Sequence, residues 1–190
     1  MAGIVMSNGS LSTTKKEEKV IREGIIADDK LDCVIMLPDK LFTNTGISAC
    51  LWILSNDKKD PKYRNRSGET LFIDCRGMGE MVSRTLRELT TEDVAKIADT
   101  YQNWRSKDNY ESYEDERGFC KSVTAEGEIA EHEGIIVPGR YVGAPPLPDD
   151  GEPFEEKMKR LTTELGEHFT ESRRLEDEIR KNLGDLGFDF

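Results

Sequence analysis

Apolar and polar positions divide the first third of the chain into three extended runs and one helical one. Ala2 to Ser10 (AGIVMSNGS) is an apolar stretch that passes straight into an Asn-Gly-Ser turn signal, predicting a strand and a turn. From Lys15 to Ile26 (KKEEKVIREGII) the period changes. Val20, Ile21 and Ile25 fall on one face and charges on the other, which predicts a helix interrupted or ended near Gly24. Leu31 to Pro38 (LDCVIMLP) and Ile47 to Ser55 (ISACLWILS) are short β-favouring runs joined by the loop DKLFTNTG. Both are apolar on both faces, the pattern of central strands covered on each side by helices in an α/β sheet rather than the alternation of an exposed hairpin. Three strands and one helix cannot bury such faces alone, so residues 1–58, with their abrupt start, are expected to be the last part of a larger doubly wound unit.

Residues 56–69 are polar, contain Pro61 and Gly68, and read as a surface loop before another strand, Thr70 to Cys75 (TLFIDC). The next helix is marked by Thr90 or Thr91 as cap and acids in its first turn. Val94, Ile97, Ala98, Tyr101 and Trp104 follow at helical spacing. Residues 105–133 are polar and irregular. GIIVPGRYVG then gives a short extended stretch and APPLPDDGEP a Pro-rich linker, with a boundary near residue 150. Beyond it, Pro153 opens a long helix. Its seam holds Met158, Leu165, Ser172 and Ile179 in one heptad position and Phe154, Leu161, His168 and Leu175 in the other. The polar pair His168 and Ser172 weakens the stripe in a way that suits register or partner choice. A coiled coil and an intramolecular hairpin or bundle arm both fit the pattern.

Composition narrows the functional classes. Of 190 residues, 27 are Lys or Arg and 38 are Asp or Glu, a formal net charge of −11. A stand-alone sleeve for DNA or RNA is disfavoured, because such affinity comes from cations that release phosphate counterions. No apolar run approaches the roughly 18 residues of a membrane span and no secretory signal is legible, so a soluble, cytoplasmic chain is expected. Cys33, Cys50, Cys75 and Cys120 are widely spaced with no zinc-ligand pattern, and Cys33 and Cys50 read as buried small hydrophobes. His132 and His168 have no partners for a metal site or a triad. Gly77 and Gly79 in CRGMGEM lack dinucleotide-fingerprint spacing and read as a turn. Asp28, Asp29, Asp32 and Asp39 read as solvated acids at element ends.

The loop LPDKLFTNTGIS is the most informative short stretch. Phe42 is a large aromatic in a polar, turn-rich segment, and loops at strand ends of α/β sheets are where ligands bind. On pattern alone, folding back onto the core edge is the leading role for Phe42, with ligand contact the other.

Several strings together resemble one family: NGSLS (8–12), LDCVIMLPDKLFTNTGISACLWILS (31–55), LFIDCRGMGEMVSRTLRELTTEDVAKIADTYQNWR (71–105), GFCKSVT (118–124) and VPGRYVG (137–143). It is the methylation subunit of type I restriction-modification systems, and the likeness runs in order along essentially the whole chain. The resemblance implies an S-adenosylmethionine-dependent DNA adenine-N6 methyltransferase that assembles with a specificity subunit and a restriction subunit. The family's Gly-containing cofactor motif and its Asn-Pro-Pro-Phe/Tyr motif do not occur here; the one Pro-Pro pair is Pro145-Pro146. By resemblance the chain is therefore the C-terminal part. Residues 1–58 would be the last strands of the methyltransferase sheet, 59–150 a family-specific mixed α/β extension and 151–190 a long helix for subunit assembly.

The intact subunit would transfer the sulfonium methyl to an adenine amino nitrogen after the base is flipped from the duplex. This chain alone would bind no cofactor, hold no catalytic residue and be inactive. Phe42 matches the position of a target-base stacking aromatic, shifting the balance from packing to base contact. Asn8 and Gly9 would shape the same pocket, and Lys40 and Asn44 would contact DNA. Leu161, Leu165, Leu175 and Ile179 would dock the terminal helix on the specificity subunit, which would also supply most phosphate contacts. The competing reading is a non-catalytic interaction protein that docks on the specificity subunit through that helix. A small free-standing enzyme ranks last, for want of a nucleophile, metal set or phosphate cradle. An unpaired sheet edge would also favour self-association.

Overall fold

The computed structural model describes residues 1–145 and 152–188. The chain divides into two compact units, Met1–Pro146 and Leu147–Phe190. Most of the expected Pro-rich linker, including the boundary near residue 150, lies outside the described residues.

The first unit is built on a mixed five-stranded sheet. Its spatial order is β1 (Ala2–Ser7), β3 (Ala49–Leu54), β2 (Leu31–Met36), β4 (Glu69–Asp74) and β7 (Cys120–Thr124). A separate small hairpin pairs β5 (Glu80–Met81) with β6 (Arg87–Glu88). Strands from both expected segments, 1–58 and 59–150, share the large sheet. β3 runs antiparallel to both neighbours, β2 and β4 are parallel, and β7 is antiparallel to β4. β1, β2 and β4 consequently point the same way, and their C-terminal ends lie at one end of the sheet.

Two-sided cover is as the apolar runs indicate, and β2 and β3 are consecutive antiparallel strands. All six residues of β2 are buried. Leu31, Val34 and Met36 enter one core with Phe72, Trp52 and Val123, while Cys33 and Ile35 enter a second with Leu71, Ile73 and Trp104. A register shift between Leu31 and Cys33 breaks the strict alternation, which is how Asp32 also comes to meet α2 (Thr91–Arg105).

The first core is closed by α1 (Lys16–Ala27) through Ile25 and Ile26. It is completed by α3 (Pro138–Tyr141), where Tyr141 stacks on Phe72 with ring centroids 4.2 Å apart. α1 differs from expectation in two ways. Gly24 lies inside it with open space around its Cα, and Val20 and Ile21 are 59% and 64% exposed. The buried polar member is Arg22, whose guanidinium donates to the carbonyls of Ser10, Thr13 and Gly134.

The second core is closed by α2, which places Tyr101 and Trp104 inward and leaves Val94 exposed. Its start is a reciprocal capping box. The Asp93 amide donates to Thr90 Oγ1 at 3.0 Å, and the Thr90 amide donates to the Asp93 carboxylate at 2.9 Å. Asp32, expected to be solvated, is wholly buried and accepts from Tyr101 Oη at 2.6 Å and Arg66 Nε at 3.1 Å. A buried carboxylate persists only when its lone pairs are met this way. The stretch expected to be irregular contributes β7, and the stretch expected to be extended contains α3. All four cysteines are buried and free.

Among the described residues the second unit is one helix, α4 (Phe154–Asp185), which begins directly after Pro153 and buries none of its residues. Its polar face is laced by pairs at helical spacing: Arg160 with Glu164, Arg174 with Glu178, and Arg180 with Glu176. Met158, Leu161, Leu165, Leu175 and Ile179 are exposed along its length. No helix among the described residues is long and apolar enough to cross a membrane.

Candidate functional site

Three connections leave the sheet at the end shared by β1, β2 and β4: residues 8–12, residues 37–48, and residues 75–89 with the β5–β6 hairpin. In open α/β sheets the crevice outside the carboxyl ends of strands is the usual ligand position, because converging loops there are free of the ladder. Hydrogen bonds tie these connections to the sheet and to each other. The Leu37 amide donates to the Ala49 carbonyl, the Cys75 amide donates to the Met36 carbonyl, and Asn8 Nδ2 donates to Ser48 Oγ at 2.6 Å. The other amide atom of Asn8, Oδ1, is shielded from solvent and has no hydrogen-bond partner among the described residues.

The 37–48 connection is shaped rather than slack. Pro38 is buried, and Lys40 adopts a left-handed conformation (φ 57°), uncommon for a side chain of its size. Phe42 and Thr45 then form an isolated bridge, with the Thr45 amide donating to the Phe42 carbonyl at 3.3 Å. Phe42 is 37% exposed and belongs to neither core cluster. Asn44 is exposed, Lys40 half-buried, and Gly9 exposed beside Asn8. The structure thus gathers Asn8, Gly9, Lys40, Phe42 and Asn44 at one end of the sheet. Leu161, Leu165, Leu175 and Ile179 belong to the other unit, on α4.

The β5–β6 hairpin abuts the same connection. The Arg87 amide donates to the Lys40 carbonyl at 2.9 Å, Arg87 Nη1 donates to the carbonyls of Met78 and Gly79, and Arg87 Nε lies 3.4 Å from Asp39 Oδ1. Gly79 has φ +81°, and a Cβ there would lie 2.7 Å from the Glu88 carbonyl. Its amide donates to Asp93 Oδ2, which also receives the Thr90 amide. These donors, led by the Thr90 backbone, hold the Asp93 carboxyl below its usual range. Arg87 escaped the reading of the sequence; the Gly-x-Gly at 77–79 was its one visible trace.

Beside β1, a trough of about 750 Å³ is lined by Ile4, Met6, Ile21, Trp52 and Leu54, with Glu18 and Arg22 at its polar side. All six residues of β1 are exposed, and its outer edge is unpaired among the described residues. The site offers a partly exposed ring, Phe42, on a connection that also carries an ammonium, Lys40, and an amide, Asn44, groups suited to stacking and hydrogen bonding on a planar polar ligand. Covalent catalysis has no evident nucleophile in it. The thiols are buried, and burial, then the neighbouring Asp74 and Asp93 charges, pushes Cys75 up to about 12. His132 packs edge-on against Tyr141, and no cluster of metal-binding side chains occurs among the described residues.

A mixed α/β sheet with a ligand-type loop cluster at its strand ends, followed by a separate long helix, defines a class that many functions share. Sequence narrows it. Residues 1–150 match the family model described as N-6 DNA Methylase. The chain is 48% identical over 186 residues to the type I restriction enzyme HindI methylase subunit of Haemophilus influenzae, covering 98% of this chain and 40% of that protein. It is 36% identical to the MjaIX methylase subunit of Methanocaldococcus jannaschii, covering 98% of this chain and 32% of that protein. Among solved structures, the type I restriction-modification methyltransferase subunit of Streptococcus thermophilus superposes with TM-score 0.58 at 27% identity, covering 74% of this chain and 26% of that one. The chain belongs to the N-6 DNA methylase family, and the resemblance read in the sequence is borne out. It spans less than half the length of the relatives it matches.

Proposed function

We propose that the chain is the C-terminal part of a type I DNA adenine-N6 methyltransferase subunit and supplies one wall of the target-base pocket together with the assembly helix. The observation that carries this reading is the 48% identity to a methylase subunit, extended over 98% of the chain. In it, β1, β3 and β2 are the last strands of a methyltransferase sheet that continues beyond the open edge of β1. Residues 59–150 form the family-specific extension. Phe42 stacks on the flipped adenine, Asn8 and Gly9 shape that pocket, and Lys40 and Asn44 contact DNA. The placement of these residues at the carboxyl ends of parallel strands, with Phe42 exposed and outside both cores, supports the assignment.

The intact subunit would use S-adenosylmethionine as methyl donor. The residues of this chain do not fit that group. The exposed lining of the trough beside β1 is mostly apolar, and beside the hydroxyls of Ser7, Ser10, Ser12, Thr13 and Thr14 it holds one carboxylate, Glu18, which is paired with Lys15; Asp39 at the strand ends is paired with Arg87. A sulfonium and the two hydroxyls of a ribose call for free carboxylate acceptors, and this lining supplies none. Cofactor binding and methyl transfer are therefore assigned to the remainder of the subunit, and no step is derived through the cofactor.

The exposed stripe of α4 favours helix docking on the specificity subunit through Leu161, Leu165, Leu175 and Ile179, with the restriction subunit joining the same assembly. Self-association through the β1 edge is the competing use of the first unit's open surface. Isothermal titration of the 190-residue chain distinguishes these roles. The expected result is heat on titration with a specificity subunit and none with S-adenosylmethionine; cofactor binding by the chain alone would overturn the assignment.

A further inference from the structure

We propose that Arg87 is a positioning residue that locks the 37–48 connection, so that the β5–β6 hairpin is a brace for Phe42. The functional part of this inference rests on the reading of Phe42 as the base-facing aromatic; the mechanical part does not.

The strained point of the connection is Lys40. A left-handed residue with a long side chain is costly and persists only where surrounding contacts over-determine it. Here its carbonyl is taken by the Arg87 amide, and the preceding residue, Asp39, is paired with the Arg87 side chain. Position 87 thus meets two successive positions of the connection, Lys40 through its backbone amide and Asp39 through the arginine side chain, immediately before the turn that presents Phe42. Arg87 is itself fixed. Its Nη1 is shared between the Met78 and Gly79 carbonyls at 3.2 and 3.1 Å. Gly79 is anchored through its amide to Asp93, inside the capping box of α2. A continuous path of hydrogen bonds therefore runs from a helix packed on the second core, through Gly79 and Arg87, to the connection carrying Phe42. A guanidinium serves this purpose better than an ammonium, since one Nη meets two carbonyls while Nε, which makes no hydrogen bond among the described residues, keeps its charge 3.4 Å from the Asp39 carboxylate.

The test is hydrogen exchange on the full 190-residue chain, comparing Arg87→Ala, Arg87→Lys, Asp39→Asn and Arg84→Ala, the last in the exposed turn of the same hairpin. Losing the charged contacts of Arg87 is expected to speed exchange of the 40–48 amides about tenfold, with a smaller rise for Asp39→Asn and none for Arg84→Ala. Arg87→Lys, which keeps the charge, should recover part of the protection and serves if the alanine variant does not fold. Unchanged exchange in Arg87→Ala, or equal rises for Arg84→Ala and Arg87→Ala, would overturn the brace.

In the intact subunit assembled with its specificity subunit, Arg87→Ala should raise KM for DNA more than it lowers kcat, in parallel with Phe42→Ala. Faster exchange in Arg87→Ala, with no kinetic effect of Phe42→Ala, would leave the brace standing and refute the base-facing reading. Faster exchange with a KM effect of Phe42→Ala but none of Arg87→Ala would refute the positioning role.

Discussion

β2 and α4 stand at opposite extremes of the same chain. β2 has six residues and buries every one; α4 has thirty-two and buries none. Their apolar residues serve different ends. On β2 they close two cores at once, so they answer to volume and to the fold. On α4 they form an exposed stripe, the surface that the proposed docking on a specificity subunit would use. Aliphatic composition alone does not separate these cases; periodicity does, since β2 is apolar at nearly every position whereas α4 is apolar every third or fourth.

That contrast is tested most severely in alkali. Burial raises the Cys75 thiol from 9.0 to about 12, and burial also raises the Tyr141 phenol from 10.0 to about 12. In the unfolded chain both groups lose their protons first. Between pH 9 and 12 the unfolded state thus binds fewer protons, and stability falls as pH rises. The loss is on the order of 4 kcal/mol for Cys75 alone. α4 contains neither Cys nor Tyr, so circular dichroism across that window should show the sheet unit lost while helicity from α4 remains.

A comparable loss is expected from Arg66→Ala, which strips the buried Asp32 of its cation and should cost about 3 to 5 kcal/mol in urea unfolding. Replacing the pair by apolar residues of similar volume should cost far less. On α4 the sign of importance reverses. Leu161→Asp or Leu165→Asp should leave unfolding of the first unit within about 0.5 kcal/mol, yet weaken binding to a specificity subunit about thirtyfold if either is an anchor worth roughly 2 kcal/mol. Thr90→Ala gives the smallest change. Loss of the capping box should cost about 1 kcal/mol and raise exchange in the first turn of α2.

The features legible in the sequence were those written in runs of like residues. β2, β3 and β4, the capped α2 and the long α4 each carry enough consecutive pattern to be read locally. Pairing sense was not legible, because two-sided burial makes a strand apolar on both faces whether its neighbour is parallel or antiparallel. β7 and the β5–β6 hairpin were missed since five residues, or two, hold too little alternation to register. The inward face of α1 was misjudged because Val20, Ile21, Ile25 and Ile26 are all apolar, and only the position of the sheet decides which of them are covered. Phe42 could be singled out as an aromatic in a polar loop. Arg87 could not, since its partners are chiefly backbone carbonyls brought near by folding, and carbonyls leave no mark in sequence.

The central claim is that the connection after β2 faces the target base in the assembled enzyme. The most direct measurement is photocrosslinking: 5-iodouracil replaces the target adenine in duplex DNA, the intact subunit with its specificity subunit is irradiated on it, and the adduct is mapped by peptide sequencing. The account predicts an adduct at Phe42, abolished by Phe42→Ala while DNA remains bound. A strong adduct elsewhere in the subunit, unaffected by Phe42→Ala, would contradict it.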